Sequence, residues 1–158
     1  MAANLAHNFT EGWIVSHVTL PDSNLPNSPA ENTRLRVLVV DDNEPSALAV
    51  SWIVESLGDE TRTCLNGPCA LLAAIDFRPD VILLDIAMPG MDGLQVSDRL
   101  RADPRFSQVK IIAQTGWGDA TMRQQTALHG FDLHLVKPVE TQLLANMFNR
   151  LRKGRPPA

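Results

Sequence analysis

The chain is short of cysteine and has no excess of positive charge. Its two cysteines, Cys64 and Cys69, have no histidine or further cysteine nearby at the spacing of a metal site, and so few thiols exclude a disulfide framework. The formal net charge of -4 provides no general attraction to nucleic acid. We therefore expect a reducing cytoplasm as the setting and no nucleic acid among the partners.

The first 33 residues contain no lysine, no arginine and no apolar run long enough for a signal peptide or a membrane span. Secretion and membrane insertion are therefore not expected. The same segment is rich in Asn, Pro and Ser, which predicts a flexible N-terminal extension or linker over residues 1–33. The 158-residue chain is long enough for one domain with a real core, which we place at residues 34–152, with a C-terminal tail at 153–158.

From Leu35 onward, short apolar runs alternate with segments of helical period. The predicted strands cover residues 35–40, 61–65, 81–85, 110–114 and 133–136. A helix is predicted after each strand, and the one at 119–129 has a thin apolar face, which indicates a marginally held element that can move. The alternation predicts an α/β fold of the flavodoxin-like doubly wound class, (βα)5, with a five-stranded parallel sheet in the order 2-1-3-4-5.

Polar side chains stand at the carboxyl ends of four predicted strands: Asp41 and Asp42, Asp85, Thr115 and Lys137. Taken alone, Asp85 could equally be a loop-capping residue. Because the carboxyl ends of parallel strands meet at one edge, however, all five groups should converge. Three close carboxylates repel one another unless a cation neutralises them, and ligands that are all oxygen favour Mg²⁺. A metal, an ammonium and a hydroxyl are the groups that phosphoryl transfer needs.

Four motifs closely resemble the receiver domain of two-component response regulators, in order and in spacing. They are Val39–Asn43, Leu83–Gly93, Thr115–Gly118 and Leu135–Pro138. The resemblance covers about residues 34–152. The local sequence is most similar to that of receivers attached to hybrid histidine kinases. The stretch 11–21 resembles the closing strand of a kinase ATP-binding domain. One hypothesis is therefore descent from a hybrid kinase that lost its catalytic part.

The resemblance implies a role for each site residue. Asp85 would accept a phosphoryl group from a phosphohistidine on a histidine kinase or phosphotransfer protein. Mg²⁺ would be bound by Asp42, Asp85 and the Ala87 carbonyl, with Asp41 acting mainly through water. Thr115 and Lys137 would contact the phosphoryl oxygens, and the peptide bond between Lys137 and Pro138 is often cis in this family.

We read the chain as a stand-alone bacterial receiver and not as an enzyme, apart from its own phosphorylation and dephosphorylation. It would signal through an unidentified downstream protein by a population shift in the fourth helix and fifth strand, as a monomer or weak homodimer. The alternative is a receiver-fold binding module that never gains phosphate. An Asp-nucleophile phosphatase of the haloacid dehalogenase type is disfavoured because Ala87 stands where its second Asp belongs, and a flavodoxin because the loop after strand one is acidic.

Three positions depart from the commonest family pattern. His134 stands where Tyr or Phe often swings inward on activation, so the switch is altered or His134 changes its hydrogen bonding with pH. The other interpretation is a surface histidine on the fifth strand. Ala87 and Trp117 replace longer polar groups near the site, and such positions can govern access of the hydrolytic water.

Overall fold

The computed structural model describes residues 34–116 and 120–154. The predicted extension at 1–33, Trp117 and the end of the predicted tail lie outside these residues. The strands are β1 (Arg36–Val40), β2 (Glu60–Cys64), β3 (Val81–Asp85), β4 (Lys110–Thr115) and β5 (Leu133–Val136). The helices are α1 (Glu44–Ser56), α2 (Gly67–Phe77), α3 (Gly93–Arg101), α4 (Ala120–Leu128) and α5 (Thr141–Lys153), with one 3-10 turn at Pro104–Phe106.

The five strands form one parallel sheet in the order β2-β1-β3-β4-β5. This arrangement confirms the predicted flavodoxin-like fold and its strand order. β3 lies at the centre and all five of its residues are buried, which is why its sequence is an unbroken apolar run ending in Asp85. None of the helices in the described ranges combines the length and apolarity needed to cross a bilayer.

Successive residues of each central strand enter two different hydrophobic cores. In β3, Ile82 and Leu84 pack with residues of α2 and α3 on one face, including Phe77 and Leu100. On the other face, Val81 and Leu83 pack with residues of α1 and α5, including Val54, Leu144 and Phe148. The period of two along a strand divides the core in this way, so both faces of the sheet are covered and the strand ends are left for chemistry.

Side-chain caps position the helices that follow the strands. Asn43 accepts a hydrogen bond from the Ser46 amide at the start of α1, and Asp92 forms a capping box with Gln95 at the start of α3. α2 continues to Phe77, whose side chain is buried against the core. Arg78, which has a φ of 50°, ends that helix in the left-handed region.

Three carboxylates hold the end of the sheet opposite to Asp85, which we call the amino edge. Asp59 accepts the Leu35 amide at 2.9 Å, Asp80 the Arg36 amide at 2.8 Å and Asp132 the Ile111 amide at 2.9 Å. Basic side chains also contact this edge: Arg152 pairs with Asp59, and Arg101 and Lys110 pair with Asp132. At the amino edge, each of the three carboxylates therefore accepts a hydrogen bond from a backbone amide, and Asp59 is the buried one.

α4 is held more loosely than the other helices. Among its described residues, only Thr126 is buried, whereas Leu128 is 73% exposed. Met122 is partly buried against the core beneath α2 and α3. This agrees with the thin apolar face that the sequence shows. A movement of α4 would therefore break few buried apolar contacts.

Candidate functional site

The three predicted acids meet at the carboxyl edge of the sheet. Asp85 is the last residue of β3, and Asp41 and Asp42 follow β1, its neighbour in the sheet. One carboxylate oxygen of each lies within 4.8 Å of the others. Asp41 and Asp85 are buried and Asp42 is exposed. The cluster is therefore open to solvent on the side of Asp42.

Lys137 brings its ammonium between the two buried acids. It follows β5, and its Nζ donates to Asp41 Oδ2 at 2.6 Å and lies 3.4 Å from Asp85 Oδ2. The peptide bond from Lys137 to Pro138 is cis, as the resemblance implies. A single cation therefore faces two buried carboxylates, and with Asp42 nearby the site carries a net negative charge.

The environment moves the pKa values of the two buried acids in opposite directions. Burial raises the pKa of Asp85 to about 6, against the opposing effect of Lys137. Burial also acts to raise the pKa of Asp41, but hydrogen bonds from Lys137, Ser46 and the Asn43 amide outweigh it and hold that pKa below its usual range. The pKa of Lys137 is raised because its two acidic partners outweigh its own burial. At neutral pH all three groups are charged.

Ser46 is a site residue that the sequence reasoning missed. Its Oγ donates to Asp41 Oδ2 at 2.6 Å, while the Asn43 amide donates to Asp41 Oδ1 at 2.9 Å. Together with Lys137, these donors fix the Asp41 carboxylate. The available signal was the spacing, since a residue in the first turn of a helix that starts after Asp42 must lie beside the strand end.

The loop after Asp85 is held close to β3. The Ala87 amide donates to Asp85 Oδ1 at 3.2 Å, and the Gly93 amide donates to the Ile86 carbonyl at 3.0 Å. A Cβ at Gly93 would lie 2.3 Å from the Asp85 carbonyl oxygen, so only glycine permits this approach. The predicted ligand role of the Ala87 carbonyl remains a prediction.

Thr115 and His134 lie on the side of the site formed by β4 and β5. Thr115 is buried at the end of β4, and its carbonyl accepts the Lys137 amide at 2.8 Å. His134 is half-buried, and its Nδ1 lies 3.5 Å from Thr126 Oγ1 of α4. His134 therefore lies against α4 at a half-buried position, and its part in a switch stays a prediction.

The donor set fits a hard divalent cation. The cluster offers three carboxylates and no nitrogen or sulfur ligand, and one of its members is open to solvent. Mg²⁺ prefers oxygen ligands and keeps several waters, which requires such an open side. The three carboxylates outnumber the single Lys137 ammonium, and this excess of negative charge also favours a bound cation.

Comparisons with known proteins agree with this geometry. The model of the response regulator receiver domain matches residues 37–149. The DNA-binding response regulator MtrA of Mycobacterium tuberculosis is 34% identical over 125 residues, which make up 78% of this chain and 54% of that protein. The chain thus spans about half the length of these curated relatives.

Two solved structures are similar over most of the described chain. The chemotaxis protein CheY4 of Vibrio cholerae superposes with a TM-score of 0.71 at 29% identity, covering 75% of this chain and 98% of that one. The receiver domain of the sensor histidine kinase PA1611 of Pseudomonas aeruginosa superposes with a TM-score of 0.70 at 26% identity, covering 77% and 99%. That structure has a magnesium ion coordinated in its active site cleft.

Proposed function

The chain belongs to the response regulator receiver domain family, and we propose that it accepts a phosphoryl group on Asp85 from a phosphohistidine of a histidine kinase or phosphotransfer protein. The observation that carries the proposal is the position of Lys137, whose ammonium lies 2.6 Å from Asp41 and 3.4 Å from Asp85. Lys137, Ser46 and the Asn43 amide already hold Asp41. Asp85 is therefore the carboxylate beside this cation that we propose as the nucleophile.

In the proposed step, an Asp85 carboxylate oxygen attacks phosphorus in line with the P–N bond of the donor. The O–P bond forms, the P–N bond breaks, and its electron pair leaves with the imidazole. Burial raises the pKa of Asp85 to about 6, so at neutral pH the carboxylate is ionised, yet more basic than an ordinary one. The Lys137 ammonium and the Thr115 hydroxyl are the donors for the phosphoryl oxygens.

Asp42 and Asp85, with the Ala87 carbonyl, are the proposed ligands of Mg²⁺, and Asp41 would act mainly through water. The ion would neutralise charge that develops on the transferred phosphoryl group. Asp41 is already held by Lys137, Ser46 and the Asn43 amide, which favours an indirect role for it.

The first experiment is incubation with acetyl phosphate and Mg²⁺, read by intact mass. We expect one phosphoryl group, none after Asp85→Asn, and none when EDTA removes the metal. Asp76→Asn is the matched control, because Asp76 is an exposed acid whose partner is Arg62 on β2. Full labelling of Asp85→Asn would refute the assignment of the acceptor. No labelling of the wild type, together with no binding of beryllofluoride, would favour the phosphate-independent binding module.

Calorimetric titration with Mg²⁺ tests the ligand set separately. We expect Asp42→Asn to weaken Mg²⁺ binding about tenfold or more, in line with the loss of one charged ligand. Asp98→Asn is the control and should bind as the wild type does, because the exposed Asp98 carboxylate on α3 is paired with His129. Equal affinity in Asp42→Asn and wild type would remove Asp42 from the proposed ligand set.

α1 offers a docking surface for the phosphodonor partner. It begins directly after the acidic residues, and it exposes Leu48 and, at 66%, Trp52, one turn apart. We propose that a kinase or phosphotransfer protein covers this pair. Trp52→Ala should slow phosphotransfer from the partner about tenfold and leave labelling by acetyl phosphate unchanged; an equal loss with both donors would contradict a docking role.

Downstream signalling would use the surface formed by α4, β5 and α5. Four exposed apolar side chains lie on these elements: Leu128, Leu133, Val136 and Leu143. The loose packing of α4 makes it the element whose position phosphate can bias. A nearly complete change of population needs phosphate to favour the active form by about 5 kcal/mol. We propose a protein as the downstream partner and the cytoplasm as the setting.

A further inference from the structure

The two cysteines lie together at the outer strand of the sheet. Cys64 is the last residue of β2, which is a terminal strand of the sheet, and Cys69 lies in the first turn of α2. Both line the same surface hollow of about 440 Å³, which also includes the pair Arg62 and Asp76. The fold therefore brings two free thiols to one small surface feature outside the phosphoacceptor site.

The two thiols differ in their access to solvent. Cys69 is exposed, whereas Cys64 is buried and only 2% exposed. Burial and the neighbouring Cys69 thiol, in that order, raise the pKa of Cys64 to about 12. Because both side chains border the same hollow, the connection from β2 to α2 brings the two thiols to one place on the surface.

We propose that Cys64 and Cys69 form a peroxide-sensitive dithiol that closes to a reversible intramolecular disulfide. Hydrogen peroxide oxidises the exposed Cys69 thiol to a sulfenic acid, with the O–O bond broken and one water released. The Cys64 sulfur then attacks the Cys69 sulfur; the S–S bond forms, the S–O bond breaks, and a second water leaves with the Cys64 proton. Two thiols and one peroxide thus give one disulfide and two waters. A dithiol reductant reverses the change.

The modification site adjoins the acidic residues through the backbone. The Cys64 carbonyl accepts the Asp41 amide at 3.1 Å, and Cys64 is paired with Val40 in the register of the sheet. The disulfide would therefore tie α2 to the strand end that carries Asp41. Closure of this disulfide requires neither phosphorylation nor metal binding.

The test treats the reduced full chain with an equimolar amount of hydrogen peroxide and then alkylates all remaining thiols under denaturing conditions. Trypsin together with a protease that cleaves before aspartate releases the peptide 63–75, which holds both cysteines and no methionine. This peptide is read by mass, because the five methionines of the chain also take up oxygen. We expect this peptide to lose two hydrogens, to escape alkylation, and to regain both thiols after dithiothreitol. Cys69→Ser, at an exposed position that should not affect folding, is expected to keep an alkylatable Cys64.

Three outcomes overturn the proposal. The first is alkylation of both cysteines after peroxide. The second is sulfinic or sulfonic acid at Cys69 with Cys64 still alkylated, which would show that the buried thiol cannot reach its neighbour. The third is a disulfide between two copies of the chain, seen as a dimer on a non-reducing gel.

Discussion

Replacing Lys137 with methionine should destabilise the protein more than removing one of its acidic neighbours. The variant keeps the side-chain length but leaves Asp41 and Asp85, whose side chains are 1% and 8% exposed, facing each other without a cation. Removing one partner of a buried ion pair costs about 3–5 kcal/mol. Ser46 and the Asn43 amide still donate to Asp41, and a quarter of the Lys137 side chain is exposed, so we expect the lower end, about 3 kcal/mol.

The assay is urea unfolding at pH 7.5 without divalent ions, on the wild type, Lys137→Met, Asp41→Asn and the double variant. Asp41→Asn alone should cost little, since Lys137 can still pair with Asp85. In the Lys137→Met background it should recover about 2 kcal/mol, because one buried carboxylate remains instead of two. Lys110→Met is the control: Lys110 is 48% exposed, so it should cost under about 1 kcal/mol. Additive single effects, or a Lys137→Met variant as stable as the wild type, would refute the reasoning.

Burial raises the pKa of Asp85 to about 6, so the folded state binds this proton more tightly than the unfolded state and stability falls as pH rises from about 4 through 6. Asp85→Asn should therefore raise the urea midpoint at pH 7.5 without divalent ions and give no gain at pH 4; equal gains at both pH values would contradict this. Gly93→Ala should cost about 2 kcal/mol in urea unfolding, because its Cβ would meet the Asp85 carbonyl. Gly154→Ala should cost little, because a Cβ there would make only ordinary van der Waals contacts. Arg152→Met leaves the buried Asp59 carboxylate without its cation and should lower stability by about 2–3 kcal/mol; an unchanged urea midpoint would show that the pair is neutral.

Much of the fold could be predicted because short apolar strands alternate regularly with segments of helical period in the sequence. The strands with continuous apolar runs were placed to within a residue, and the last strand, Leu133–Val136, coincides with the prediction. β2 was placed one residue too late: it alternates exposed and partly covered side chains at the rim of the sheet, and the exposed Leu65 suggested a longer apolar pattern. An outer strand is defined by its pairing, which sequence does not show.

The candidate site could be predicted from the sheet topology. Parallel strands end at one edge, so Asp41, Asp85 and Lys137 could be brought together from their positions in sequence. Contacts that depend on side-chain direction were out of reach, such as the hydrogen bond from Ser46 to Asp41. Pairing across 93 positions, as between Arg152 and Asp59, requires the packed structure, since no local pattern specifies it.

The two edges of the sheet differ in how their negative charge is balanced, and the difference should appear in amide hydrogen exchange. At the amino edge, Asp59, Asp80 and Asp132 each accept a strand amide. We expect those amides to exchange slowly, because each is held by a carboxylate at or next to the start of a strand. At the other edge, uncompensated charge makes local opening cheaper. The hydrogen bonds at the amino edge thus hold the sheet together, which allows the edge that carries Asp85 to change its conformation without loss of the fold.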